Sequence, residues 1–321
     1  MKPHLSVLLP LTLILPLSTS SPLAQHPPPP PPCTCYSLTS ADTPFIFTHN
    51  EIWDFRAQPL PQPQDQQQQQ QQQPTLLSQT PLVSSWRPQT WHRPPSGRAI
   101  SPMHNEDANV FLTPHPDAPA PATTLMLRAT RHADHTSTAE IESTIDSIKH
   151  CSLRVRMRLV NLSPTPGPVP PGVCAGLFIY NSATSESDIE ILTHDPLTMA
   201  HYANQPDYDP VTDAIIPGSM VIVPDLPRPW TEWSTHRLDW VPGESAWYAD
   251  GKLVARLAYG VMQTEGRPIL NLWSDGGGWT GDMPVGSSVG MAIEWVQLAY
   301  NLTTDAVGQC ETVCDVEQMG V

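Results

Sequence analysis

The segment SESDIEILT places Glu186, Asp188 and Glu190 at alternate positions, with Ser187, Ile189 and Ile191 between them. A strand sends alternate side chains to opposite faces, so the three carboxylates share one surface. The isoleucines suit the space between two sheets, which leaves the acids on the outer face of their own sheet. Like charges so close repel, and the pattern needs a reason beyond decoration. The residue types fit a solvated strand face, a calcium site built from carboxylate oxygens, or hydrolysis of a glycosidic bond by two carboxyl groups. Retaining hydrolysis asks for carboxyl groups about 5–5.5 Å apart. Positions i and i+4 lie roughly 13 Å apart at Cα along a straight strand, so only a concave sheet could tilt the two glutamates together. Asp188 would add negative charge beside both and raise a neighbour's proton affinity. An acid still protonated near neutrality can donate to a leaving sugar oxygen.

The elements that must hold these acids read almost wholly as strands. From Thr124 onward, TTLMLRAT, CSLRVRMRLV, GVCAGLFIY, SDIEILT, HRLDWV, RPILNLWS and GMAIEWVQLAY alternate or run in β-formers. SAWYADGKLVARL predicts a hairpin turning at Asp250-Gly251. No amphipathic helix of three turns and no internal repeat is evident. Many short strands with turn signals predict an all-β fold, a sandwich of two antiparallel sheets.

The chain has 321 residues and a net charge of −15, with no basic patch to offset it, which argues against a nucleic-acid or anionic-membrane partner. Residues 1–24 carry one lysine, a short proline-broken apolar stretch and small residues, the pattern of a signal peptide, so a secreted protein of the extracellular space or cell wall is expected. A Pro-rich linker is assigned to 25–42, a domain to 43–303 with a low-complexity Gln-rich loop at about 57–85, and a Cys-containing tail to 304–321. The six cysteines suit disulfides in an oxidising compartment better than zinc. Asn161-Leu-Ser163 and Asn301-Leu-Thr303 are glycan acceptor sequons, with Pro164 weakening the first.

Glu186-x-Asp188-x-Glu190 resembles the E-x-D-x-E signature of glycoside hydrolase family 16, the laminarinase and lichenase group. The resemblance covers roughly Phe45 to Asn301: GVCAGLFIY stands where the family has a G-x-W-P-A-x-W strand, and HRLDW with AWYADGKLV is similar to its next hairpin. Secreted fungal members are especially similar. The resemblance implies a β-jelly-roll of two curved antiparallel sheets with a glucan cleft on the concave side. Glu186 would be the nucleophile, Glu190 the general acid/base, and Asp188 the group that tunes the pair. The implied substrate is a β-1,3- or mixed β-1,3/1,4-glucan, cleaved with retention by a monomer without cofactor or metal. Cys174 and Phe178 stand where the family has tryptophans, and a Cys174–Cys151 disulfide is one guess for the former.

Four residues are assigned to substrate binding: Phe178, Tyr202, Asn204 and Trp279, the second and third from the polar segment HYANQ after the acid strand, which also offers His201 and Gln205. Trp273 is read as core packing, and Trp230, Trp233, Trp240, Trp247 and Trp295 as core or strand aromatics. The histidines show no metal spacing. Two rival functions use the same fold: a wall transglycosylase with the same acids, and a non-catalytic glucan-binding, lectin-like protein.

Overall fold

Alternation of apolar and polar residues resolves into two stacked antiparallel sheets. A computed structural model describes residues 32–60, 74–305 and 310–319. The segment assigned as a signal peptide, most of the proline run and the glutamine run lie outside the described residues. The sheet that carries the acids runs in the order Trp86–Pro88, Thr136–Ser143, Arg267–Trp273, Cys174–Ser182, Ser185–Leu192, Ala200–Asn204, Met220–Val223. The second sheet runs Lys252–Leu257, Glu244–Ala249, Ser234–Val241, Ile148–Asn161, Ser288–Leu302. Beyond it, Thr123–Arg131 and His49–Asp54 each pair with one half of the Ser288–Leu302 strand. Thr136–Ser143 belongs to both sheets: its start pairs with Thr130 and Arg131, its end with Ile269 and Leu270. The all-β jelly-roll class is as expected.

Side-chain parity builds the core. From the Ile148–Asn161 strand, Cys151, Leu153, Val155, Met157 and Leu159 point between the sheets, where they meet Ala175, Leu177, Ile179, Ile189, Ile191, Leu270 and Leu272. Trp230, Trp240 and Trp247 are buried, Trp295 lies buried in its strand, and Trp233 carries Arg158 over its ring. The outward residues of the Ile148–Asn161 strand are Arg154, Arg156 and Arg158, paired with Glu317, Glu294 and Asp117. The Asp250-Gly251 hairpin forms as expected, with φ of 47° and 77° between paired Ala249 and Lys252. Such left-handed φ values are why the turn needs these residue types.

Three expectations are corrected. Cys35–Ser40, assigned to the linker, is a strand, antiparallel to Thr43–Phe47 and parallel to Val313–Asp315 of the assigned tail. Disulfides Cys33–Cys314 and Cys35–Cys310 fasten the two ends together. This three-stranded layer sits on the outer face of the second sheet, where Leu38, Phe47 and Val316 cover Ala299. Val313–Asp315 is too short to show a period, and the six residues of Cys35–Ser40 are buried without strict alternation, so pairing is what makes both legible. Cys151 and Cys174 are buried free thiols, because Cys151 faces the core whereas Cys174 faces the acids. The end of the assigned Gln-rich loop is also ordered: Thr75–Leu76 pairs with Val110–Pro114, and Leu77 is buried.

Glu317 clamps the outer layer, accepting from Arg154 and from Arg237, which also forks onto the fully buried Asp239. Arg237→Ala would strand Asp239 without its partner, and urea denaturation should show a loss of about 3–5 kcal/mol. An unchanged midpoint would show that the clamp contributes nothing.

Candidate active site

The Ser185–Leu192 strand sits in the middle of its sheet, so its two faces have unlike surroundings. Ser187, Ile189 and Ile191 are buried between the sheets. Asp188 is buried and Glu186 and Glu190 are half-buried on the opposite face, on the floor of a cleft. Register extends this floor sideways. Glu190 stands opposite Gly176, Gly176 opposite Asn271, and Asn271 opposite Glu140. The next row holds Asp188, Phe178 and Ile269. Gly176 leaves room for Asn271: a Cβ there would lie 2.5 Å from Asn271 Oδ1 and push that side chain aside.

Two cavities flank the acids. One of about 190 Å³ is bounded by Trp91, Arg93, Met103, Glu140, Phe178 and Trp273, with all three acids in its wall. The other, about 540 Å³, lies on the far side of Glu190 and is bounded by Gln205, Asp207, Tyr208, Met220, Asp275 and Trp279. Glu190 is therefore shared between two spaces. An extended polymer crossing both would pass over it.

Burial governs the protonation of these groups. It pushes Glu190 up to about 8, with the charge of Asp188 adding to the effect. Cys174 Sγ and Trp279 Nε1 donate to Glu190 Oε1 at 3.3 and 3.2 Å and oppose that rise. Asp188 is held well above the carboxylate range by burial and by Glu186 beside it. Burial raises Glu186 to about 7, against the lowering effect of the hydrogen bond from Asp188. One proton shared between Asp188 and Glu186 thus favours a protonated aspartic acid donating to a glutamate. Gln205 Nε2 also donates to Asp188 Oδ2, at 3.1 Å. Glu140 is raised by burial, and Trp91 Nε1 and Asn271 Nδ2 donate to it at 2.8 and 3.3 Å.

The structure brings together five of the seven assigned residues. Glu186, Asp188 and Glu190 share the cleft with Phe178, and Trp279 touches Glu190. Tyr202 and Asn204 are corrected. Tyr202 pairs with Ile189 and packs against Trp247 in the core, with centroids 5.8 Å apart. Asn204 is fully buried, bonded to Ser187 Oγ at 2.7 Å and to Tyr259 O at 2.8 Å. The other two polar residues of HYANQ are the ones on the acid side: His201 stands opposite Glu190, and Gln205 reaches Asp188. His201 Nε2 donates to Asp195 Oδ2 at 2.7 Å, and its ring meets Trp279 edge-on at 5.0 Å. Trp273 is also corrected, from core to cleft wall, with Arg93 over its ring. Glu140, Asn271, Trp91 and Arg93 line the cleft without having been expected there from the sequence. Period-two counting from Trp273 would have found Asn271; the others reach the cleft only through strand pairing. Ligand-capable atoms of His104, Glu106 and His135 converge elsewhere.

No family model matches the chain. A Paenibacillus polymyxa β-glucanase is 30% identical over 73 residues, which is 22% of this chain and 31% of that protein. The match therefore spans less than a third of the relative. Among solved structures, a prokaryotic β-1,3-1,4-glucanase (lichenase) from a mouse hindgut metagenome superposes with TM-score 0.52 at 18% identity, over 79% of this chain and 99% of that one. The Bacillus licheniformis β-glucanase gives 0.51 at 19%, over 68% and 92%. A Bacteroides ovatus GH16 protein of a mixed-linkage-glucan locus, bound to its product, gives 0.50 at 15%, over 67% and 94%. The chain has the jelly-roll fold of these glucanases, with its large curved antiparallel sheet.

Two predictions follow from the electrostatics. Glu190 binds its proton more tightly in the folded state, so its burial opposes folding increasingly as pH rises from about 4.5 to about 8. Glu190→Gln should be more stable than the parent in urea at pH 8, with the gap closing towards pH 4.5; a gap independent of pH would refute the assignment. Trp279→Phe removes a donor to the ionised carboxylate, so carbon-13 NMR of the Glu190 carboxyl should titrate roughly one pH unit higher. A downward movement would contradict the observed hydrogen bond.

Proposed function

We propose that the chain is a secreted glycosidase that cleaves a β-1,3- or mixed β-1,3/1,4-glucan with retention of configuration. The observation that carries this reading is the three-acid row on the cleft floor, with Glu190 held protonated near neutrality. Glu190, at about 8, is the proton donor to the leaving sugar oxygen and later the base that activates water. Glu186, kept ionised by the proton that Asp188 holds towards it, attacks the anomeric carbon to form a glycosyl-enzyme. Asp188 acts through the hydrogen bond that its proton makes to Glu186. Phe178 and Trp273 offer flat apolar faces to pyranose rings, and Asn271, Gln205 and Arg93 offer polar partners to hydroxyls. The fold shared with lichenases and the pair of disulfides support the reading.

The test is incubation of the purified protein with laminarin, barley glucan and chitin oligomers, with products sized by chromatography. Shorter chains from a β-glucan are expected. Glu186→Gln and Glu190→Gln should each lower kcat by at least 10²-fold. The alkaline limb of kcat/KM should fall near pH 8 in the parent, because Glu190 must carry its proton there, and should vanish in Glu190→Gln. Longer products would mean that sugar rather than water resolves the intermediate, the transglycosylase alternative. Binding without turnover, unaltered in Glu186→Gln, would mean a lectin-like protein.

A further inference from the structure

His92–Arg93 pairs with Met103–Asn105, which in turn runs parallel to Thr136–Thr138. Met103 and Asn105 face the cleft, so alternation turns His104 to the opposite side of this flap. There His92, His104, His135 and His132 stack in a row, with successive centroids 4.1, 4.5 and 4.5 Å apart. Glu106 follows two residues after His104. Ligand-capable atoms of His104, Glu106 and His135 all lie within 4.8 Å of one another.

We infer that His104, Glu106 and His135 form a binding site for a divalent transition-metal ion, Zn²⁺ or Cu²⁺, on the outer face of the flap. The donor set decides the class of ion. Two imidazoles and one carboxylate suit Zn²⁺ and Cu²⁺, whereas Ca²⁺ and Mg²⁺ take oxygen ligands throughout. The partners that orient ligands are already in place. Asp134 Oδ1 accepts from His135 Nδ1 at 2.8 Å, which leaves Nε2 with its lone pair free. Ser137 Oγ donates to Glu106 Oε2 at 3.2 Å, fixing that carboxylate. Arg131 Nη1 donates to the carbonyl oxygens of His132 and His135, tying down the turn that carries His135. A tetrahedral ion with bonds of ~2.1 Å spaces its ligands by about 3.4 Å, so binding turns the stacked His104 and His135 rings out of their near-parallel arrangement until each aims a nitrogen at one ion. Water, His92 or His132 can complete the shell. Core packing does not account for this row of rings, since His92 and His132 are exposed and His104 and His135 are half-exposed. The site is separate from the acids, and its test does not depend on glycosidase activity.

Tag-free protein stripped of metal with EDTA is titrated with ZnCl₂ by calorimetry at pH 7.5, and a CuCl₂ sample is examined by electron paramagnetic resonance. One Zn²⁺ per chain with a dissociation constant of roughly 10 μM or tighter is expected, with nitrogen hyperfine coupling in the Cu²⁺ spectrum. His104→Gln and His135→Gln should each weaken binding at least tenfold, and Asp134→Asn by about tenfold. His49→Gln, remote from the stack, should leave it unchanged. Circular dichroism of each metal-free variant separates lost ligands from lost folding, and Glu106→Gln supplies a conservative second probe. The proposal is overturned if Zn²⁺ fails to bind one-to-one below 1 mM. It is equally overturned if folded His104→Gln and His135→Gln bind as the parent does.

Discussion

Three carboxyl groups withdrawn from water on one face of one strand are the constraint on which the rest of this molecule turns. Placing Glu186, Asp188 and Glu190 in a cleft disfavours their charges, and their nearness to one another disfavours them further. The chain answers by keeping protons on part of the set and by aiming Cys174, Trp279 and Gln205 at the oxygens. Such an arrangement weakens the folded state above pH 4.5, and a strand that merely faced solvent would have no cause to bear it. The apolar side of the same strand carries the offset. Ile189 and Ile191 anchor it in a core drawn from both sheets, so the acids are held by backbone that cannot relax away.

Cross-strand register converts that anchor into a site. Because Gly176 lies opposite Glu190, space opens beside the carboxyl, and Asn271 fills it without touching the acid strand itself. Glu140 joins from a strand that begins in the other sheet, and Trp91 and Arg93 join from a hairpin laid along that strand's start. The flap is two-sided: its cleft side meets the candidate substrate path, and its outer side carries the imidazole row. The ends of the described chain serve a different part of the molecule. Stapled to each other and clamped through Glu317, they shield the outer face of the second sheet far from the cleft.

Much of this was legible in the residues. The alternation of SDIEILT gave the face of the acids, ADG gave the turn of its hairpin, and the long β-forming runs gave the class of fold. HYANQ offers four polar residues and no clear apolar marker of its inward face: His201 and Gln205 meet the acids, whereas Tyr202 and Asn204, binding groups by type, point into the core. Trp273 misled in the other direction, since a large aromatic in a strand is usually buried, and here it walls the cleft. The linker and tail were misplaced because two short strands, each meaningless alone, become structure only against one another.

The sequence by itself determined local things: strand identity, the shared face of Glu186, Asp188 and Glu190, the tight turn, and cysteines fit for an oxidising compartment. Those follow from bonds and periods within a few residues. Tertiary structure alone decided which cysteines pair, which side of HYANQ meets the acids, and that Glu140, Asn271, Trp91 and Arg93 wall the cleft. It also decided how far the acids' protons are held and that His92, His104, His135 and His132 converge. Each of these depends on strands distant in the chain lying about 4.8 Å apart in a sheet, a distance that no local period encodes.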